Sequence, residues 1–261
     1  PLLRHTRRAL RDYNRVHALI WAEDPSNQDR KYARIRTREK LQSKSALQAH
    51  LLSTAYELRQ GLDAEQERFR DFYKRHMRCD DNGVIFARKV PPRGLLEILL
   101  RAASGTGGPV DKAALKQLKS GMLRNAFKGG TLAGAHISFR RGEFCIARDP
   151  VAAKGRGNQL ALPVTSLEPG QSCIWDGRFF VSAKKAGLKV GTVLSFPGDR
   201  RGLSQGALGL TMPIIWDQAD QSIALGHTLD NPDVEIRSLV APRLHNMLGY
   251  NSFKGKAGRN R

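Results

Sequence analysis

Three arginines at alternate positions, Arg34, Arg36 and Arg38, follow the turn sequence Asp24-Pro25-Ser26-Asn27. A guanidinium is a planar fork of N–H donors that matches the oxygens of a phosphate, so the triplet is suited to binding polyphosphate backbones. The proline presets φ, and Asp24 and Asn27 carry side-chain oxygens that bond back to nearby backbone amides. Trp21 just upstream, and Tyr32, offer flat faces on which an unpaired base can stack. The structural alternative is a capped turn leading into a solvated basic helix, and the residues alone leave the two readings even. Similar mixtures of cation and aromatic recur at Phe72-Tyr73-Lys74-Arg75 and at Trp175, Arg178 and Phe179. A Gly/Lys/Arg loop over 151–160 adds Lys154 and Arg156, either as a linker or as an RNA-facing loop. Phosphate contact combined with stacking is the usual chemistry of single-stranded RNA recognition.

Other chemistries find little support. The seven histidines show neither H-x-x-x-H nor His/Cys metal spacing, and His17 and His50, beside apolar positions, are expected in packed cores. No serine sits in a G-x-S-x-G elbow. Cys79, Cys145 and Cys173 are too scattered for a disulfide framework or a CxxC pair, which suits a reducing cytoplasm. Ser104-Gly105-Thr106-Gly107-Gly108-Pro109 has the composition of a nucleotide loop but not the order of one. A helix terminator followed by a proline-initiated helix explains it. Glu23 and Asp24 would accept a substrate amine in an assembled site, although helix entry already accounts for them. No catalytic residue, cofactor-binding residue or metal ligand is assigned to this chain.

The charge balance sets the class of partner. Forty-four Lys+Arg against 24 Asp+Glu give a formal net charge of +20 over 261 residues. That excess favours a polyanion. With 40% hydrophobic residues the chain can build real cores. It has no apolar run near the ~20 residues of a membrane span, so no membrane partner is expected.

The run Trp21-Ala22-Glu23-Asp24-Pro25-Ser26-Asn27-Gln28-Asp29, with Tyr32-Ala33-Arg34-Ile35-Arg36-Thr37-Arg38, resembles the segment that closes the catalytic domain of tRNA(Ile)-lysidine synthetases. Pro1-Leu2-Leu3-Arg4-His5-Thr6-Arg7 is similar to the family's P-L-L-x-x-[ST]-R run. The likeness is specific over residues 1–38 and looser beyond, where Trp175-Asp176-Gly177-Arg178-Phe179 resembles bacterial members. Ile35 stands where many members have Asn, and the S-G-G-x-D-S loop and H-x-x-D-x-x-E-T run of the active site are absent. The resemblance implies a PP-loop ATP pyrophosphatase. Such an enzyme uses ATP, and Mg in the complete protein, to ligate lysine to the wobble cytidine of a CAU-anticodon tRNA(Ile). The implied tRNA-binding residues are Arg7, Trp21, Asp24, Asn27, Arg34, Arg36, Arg38, Lys154, Arg156 and Arg178, and a homodimer is left open. The opening on Pro1 without a methionine reads as a C-terminal fragment or an incomplete chain, inactive by itself. The competing reading is a non-catalytic basic RNA-binding or ribosome-associated protein.

These residues need positioning elements. Thr6 is a good N-cap for a first helix carrying Ala9, Leu10, Tyr13, Val16, His17 and Ile20 at helical spacing. Ala46 to Met77 carries Leu47, Leu51, Ala55, Leu58, Leu62 and Phe69 as one buried stripe, with Gly61 as a weak point. Two more helices are expected over Gly94–Ala103 and Asp111–Leu123. The period then becomes two. Ala135–Arg140 and Glu143–Arg148 flank Arg141-Gly142, pairing Arg140 with Glu143, Phe139 with Phe144 and Ile137 with Ile146. Asp176-Gly177 signals a second hairpin. Strand-like runs include Thr192–Phe196, Leu208–Met212, Ile214–Trp216 and Ile223–Leu225, and the chain ends in a basic glycine-containing tail. The expected class is α+β, a mainly helical N-terminal half with a β-hairpin and a small β-rich C-terminal domain. The expected divisions are 1–43 (tail of a catalytic domain), 44–150 (helical linker and recognition domain) and 151–261 (β-rich RNA-binding domain).

Overall fold

The computed structural model describes residues 5–22, 24–42, 44–124, 126–155, 161–201, 203 and 209–250. The chain divides into two compact units, Pro1–Asp63 and Ala64–Arg261, and has the α+β composition expected of it, with long helices early and antiparallel sheets later.

In the first unit, α1 (Arg7–Val16) starts where the Thr6 hydroxyl accepts the Ala9 amide at 3.1 Å. A 3₁₀ turn, Pro25–Gln28, leads to α2 (Ala33–Gln42), and α3 (Ser45–His76) begins three residues later. The 32 residues of α3 run through Gly61 without interruption and end in the second unit. The stripe on its first half is not buried as expected: Leu47, Leu51, Leu58 and Leu62 are exposed. Ile35 is the buried hydrophobic side chain among the described residues of this unit. His17 and His50 are also exposed rather than packed, and the His17 ring lies 4.2 Å from that of Tyr13. Helical spacing shows which face an element would bury, but a surface must be present to cover it.

The second unit carries the cores. Phe69, near the end of α3, packs with α4 (Arg93–Ser104), where Leu95, Leu96, Leu99 and Leu100 are fully buried. Asp111 caps α5 (Lys112–Met122) through the Ala114 amide at 2.6 Å. Pro109 therefore precedes the cap and does not open the helix. Against these helices lies a five-stranded antiparallel sheet ordered β1-β2-β5-β4-β3. Its strands are β1 (Met77–Cys79), β2 (Ile85–Ala87), β3 (Gly130–Leu132), β4 (Ala135–Arg140) and β5 (Glu143–Arg148). The β4–β5 hairpin has the expected register, Arg140 to Glu143, Phe139 to Phe144 and Ile137 to Ile146. Arg141 and Gly142 both have positive φ, as a two-residue turn of this hand requires.

The β-rich part begins after the short α6 (Pro150–Lys154). It holds β6 (Thr165–Leu167), β7 (Ser172–Trp175), β8 (Phe179–Ala183), β9 (Leu188–Thr192), β10 (Pro213–Trp216), β11 (Ser222–Leu225) and β12 (Val234–Ser238). They form two sheets, β11-β10-β9-β6 and β12-β8-β7. Trp175, Phe179, Val181, Val190, Ile215 and Ile236 share their core. The strand expected over Thr192–Phe196 lies earlier in the chain. Past Thr192 the backbone turns, the Ser195 hydroxyl accepting the Thr192 amide at 2.9 Å. Of the run Leu208–Met212, Leu208 lies outside the described residues, and Gly209–Thr211 is a 3₁₀ turn. A last helix, α7 (Val240–Met247), returns Val240, Leu244 and then Leu248 to the core beneath α4. The spacing of four between Val240, Leu244 and Leu248 is the signal for this short helix, and Pro242 sits in its first turn, where its missing N–H has no helical partner to lose.

Candidate nucleic-acid interface

In the first unit the turn and Arg34 form one hydrogen-bonded assembly. Asp24, in extended backbone, accepts the Ser26 amide at 2.9 Å and the Ser26 hydroxyl at 2.8 Å. Those two bonds, the backbone one first, hold its carboxyl below the ordinary carboxylate range, and the charge of Arg34 adds to them. The Arg34 guanidinium donates to the Ser26 hydroxyl at 3.3 Å and lies 4.7 Å from the centre of the Tyr32 ring. Arg36 turns back along the chain and donates to the carbonyls of Arg30 and Lys31, both at 2.7 Å. Arg38 is exposed one helical turn beyond Arg34. The triplet thus splits as helix geometry requires: Arg34 and Arg38 share a face, while Arg36 closes the preceding loop. Asn27 lies in the 3₁₀ turn, with its amide on the Asp24 carbonyl at 3.0 Å. Arg7 is exposed at the start of α1, and Trp21 is 40% exposed.

The second unit treats its candidates differently. Lys154 is exposed at the end of α6, which Asp149 caps through the Val151 amide. Arg156 lies outside the described residues. Arg178 is no surface phosphate ligand. It is 2% exposed, its Nε 2.7 Å from Asp176 and its Nη2 2.5 Å from the Thr211 carbonyl. Burial pushes its guanidinium below the ordinary arginine value, against the opposing pull of Asp176. Its companions Trp175 and Phe179 are equally buried, so this basic–aromatic cluster is core. Phe72 and Tyr73 also pack on the helical core.

The glycine-containing turn Ser104–Pro109 does not fit a triphosphate. Gly105 closes α4 in the left-handed conformation (φ +73°), and a side chain there would collide with the Asp176 carbonyl. The Ser104 hydroxyl is buried and shared with Thr106 at 2.8 Å. These amides and hydroxyls stabilise a helix end, and the turn presents no cradle for phosphates. Among the described residues no three His, Cys, Asp or Glu converge as a metal site. Burial also pushes the Cys79 thiol up to about 12, which leaves no thiolate nucleophile there at neutral pH. No helix among the described residues is long and apolar enough to cross a membrane.

What sequence reading missed is the outer face of the β12-β8-β7 sheet. Ile174, Phe180 and Arg237 lie side by side across the three strands, and the Arg237 guanidinium is 5.1 Å from the Phe180 ring centre. Alternation along Cys173–Trp175 and Phe179–Val181 was the available signal, since an inward Trp175 and Phe179 force Ile174 and Phe180 outward.

Residues 1–45 match the PP-loop domain family. The chain is 32% identical over 206 residues to the tRNA(Ile)-lysidine synthase of Caulobacter vibrioides, covering 77% of this chain and 44% of that protein. The Hyphomonas neptunium tRNA(Ile)-lysidine synthase is 30% identical over 152 residues, 56% of this chain and 41% of that protein. The Ruegeria pomeroyi tRNA(Ile)-lysidine synthase is 56% identical over 41 residues, 16% of this chain. No solved structure matches. The chain spans less than half the length of these relatives. With a PP-loop domain match at residues 1–45 and likeness over as much as 77% of the chain, the resemblance to the tRNA(Ile)-lysidine synthases is borne out.

Proposed function

We propose that this chain is the tRNA-binding, C-terminal portion of a tRNA(Ile)-lysidine synthase. The complete enzyme then consumes ATP, with Mg, and ligates lysine to the wobble cytidine of the CAU anticodon of tRNA(Ile). The observation that carries the reading is the exposed pair Arg34 and Arg38 beside the Asp24–Ser26 turn, inside the PP-loop match. Fork-shaped cations held on one face of a helix suit the phosphates of a folded RNA. Arg7, Trp21, Asp24 and Asn27 are the further candidates in the first unit, and Lys154 is the described exposed candidate in the second. Arg36 contributes by shaping the loop before α2. In this reading residues 1–43 close the catalytic domain, 44–150 link and recognise, and 151–261 bind RNA. The exposed leucines of α3 would pack on the remainder of the catalytic domain.

The test is fluorescence-anisotropy binding of this chain to tRNA(Ile) bearing CAU, paired with a lysidine-formation assay on the whole protein. Submicromolar binding of that tRNA, and loss of lysidine formation on removing Arg34 and Arg38 together, are expected. Good RNA binding with undiminished lysidine formation in that variant, or no lysidine formation by the whole protein, would favour a non-catalytic RNA-binding protein.

A further inference from the structure

The β12-β8-β7 sheet buries one face and leaves the other open. Inward lie Trp175, Phe179, Val181, Ala183, Val234 and Ile236. Outward, one row across the strands reads Arg237, Phe180, Ile174, and the next reads Glu235, Ser182, Ser172. Ile174 is 65% exposed, and Arg237 is exposed beside the half-buried Phe180 ring. Lys184 and Lys185, also exposed, follow β8 directly.

We propose that this face is a stacking platform for an unpaired base of RNA, a role that rests on the RNA-binding reading above. The first row supplies flat and apolar surface: an aromatic ring with a guanidinium over it, 5.1 Å from its centre, and a branched aliphatic on the neighbouring strand. A base presents a π face to any such platform whatever its sequence, whereas a paired A-form helix keeps its base faces stacked inside. The second row, two hydroxyls and a carboxylate, faces the edge of a base laid on the first and can exchange hydrogen bonds with it. Lys184 and Lys185 supply the positive charge that a strand's phosphates require. Glu235 is the carboxylate on these two rows, and it lies in the hydrogen-bonding row, away from Phe180. Rigid strands hold all six residues, so little ordering is needed when a base arrives.

The experiment measures binding of the chain to a fluorescein-labelled single-stranded oligouridylate and to a blunt RNA duplex of equal length. The variants are Phe180→Leu, Arg237→Gln and Ile174→Thr, each checked by thermal melting. Ile174 lies on an edge strand and is largely exposed, so its variant tests the platform even if Phe180→Leu perturbs folding. Phe180→Leu should weaken single-strand binding about tenfold, the scale of one stacked base, and leave duplex binding within about twofold. Arg237→Gln and Ile174→Thr should show the same selectivity with smaller losses. Unchanged single-strand affinity in folded variants, with steep salt dependence intact, would overturn the platform alone. Wild-type chain that binds neither RNA would overturn the platform and the RNA-binding reading together.

Discussion

The Arg178 Nε lies 2.7 Å from one carboxylate oxygen of Asp176, and the Arg148 Nη2 lies 3.2 Å from the other. All three side chains are at most 9% exposed. Two buried guanidinium groups therefore share one carboxylate, which leaves a net positive charge there, and Arg243 adds to the same field. Asp176 can serve both because it opens the β7–β8 turn at φ +49°, directly before Gly177. Removing one partner of a buried pair leaves an uncompensated charge, at a cost of about 3–5 kcal/mol. Asp176→Asn should lower urea-measured stability by that amount. Arg178→Met, which leaves Asp176 paired with Arg148, should cost less. Neither change should alter RNA affinity while the chain is folded. A stable Asp176→Asn protein with weakened RNA binding would reverse the assignment.

Gly105 is tied to the same turn. Its φ of +73° and its close approach to the Asp176 carbonyl exclude a side chain. Gly105→Ala should destabilise the second unit by about 1–3 kcal/mol, the usual range for strained backbone. Gly107→Ala should be close to neutral, because a Cβ there meets nothing within 4 Å. Equal melting temperatures for the two variants would contradict this contrast.

The alkaline limb of stability should reflect Cys79 and Tyr73. Burial raises both, each to about 12, from ordinary values near 9 and 10. A group whose folded value is raised holds its proton more tightly when folded, so its contribution is complete below the unfolded value. That contribution is lost as pH climbs through about 9 to 12. Stability should therefore fall across this window, and alkylation of Cys79 by iodoacetamide should stay slow until it. Rapid alkylation of Cys79 at neutral pH would show that the thiol is not buried as described.

The β4–β5 hairpin was legible to the register because its turn residues, charge pair and apolar pairs all specify one alignment. The lengths of α3, α4 and α5 were legible from periodicity. Burial was not. The stripe of Leu47, Leu51, Leu58 and Leu62 has the same pattern as a core helix, yet these side chains are exposed. Arg178 shows the converse, a cation whose sequence neighbours suggested a surface and whose partners, Asp176 and the Thr211 carbonyl, draw it inside. A local pattern records a side chain's chemistry, while its depth depends on residues such as Thr211, distant in the chain. The platform residues escaped for a related reason: Arg237 joins Phe180 only through long-range pairing of β12 with β8.

Binding to tRNA should weaken steeply with salt. Each neutralised phosphate contributes about 0.7–0.9 to the slope of log affinity against log salt, so several contacts predict a magnitude of about 4 or more. Titration between low and physiological salt measures it. A flat response would exclude the phosphate-binding reading.

The arginine triplet gives the most discriminating test. Arg34 and Arg38 share the face of α2 next to the Asp24–Ser26 turn, whereas Arg36 donates to the Arg30 and Lys31 carbonyls. Arg59, paired with Asp63 on α3, serves as a surface control. Each charge-assisted phosphate contact is worth about 1.5–3 kcal/mol when desolvated. Arg34→Ala/Arg38→Ala should therefore reduce tRNA affinity about a hundredfold or more, with little change in melting temperature because both side chains are exposed. Arg36→Ala/Arg59→Ala should show the opposite bias. It loses the two bonds that close the loop, lowering stability by about 1 kcal/mol, and retains most of its tRNA affinity. Equal affinities for the two double variants, or a large stability loss confined to Arg34→Ala/Arg38→Ala, would make the exposed pair structural and move the RNA contact elsewhere on the chain.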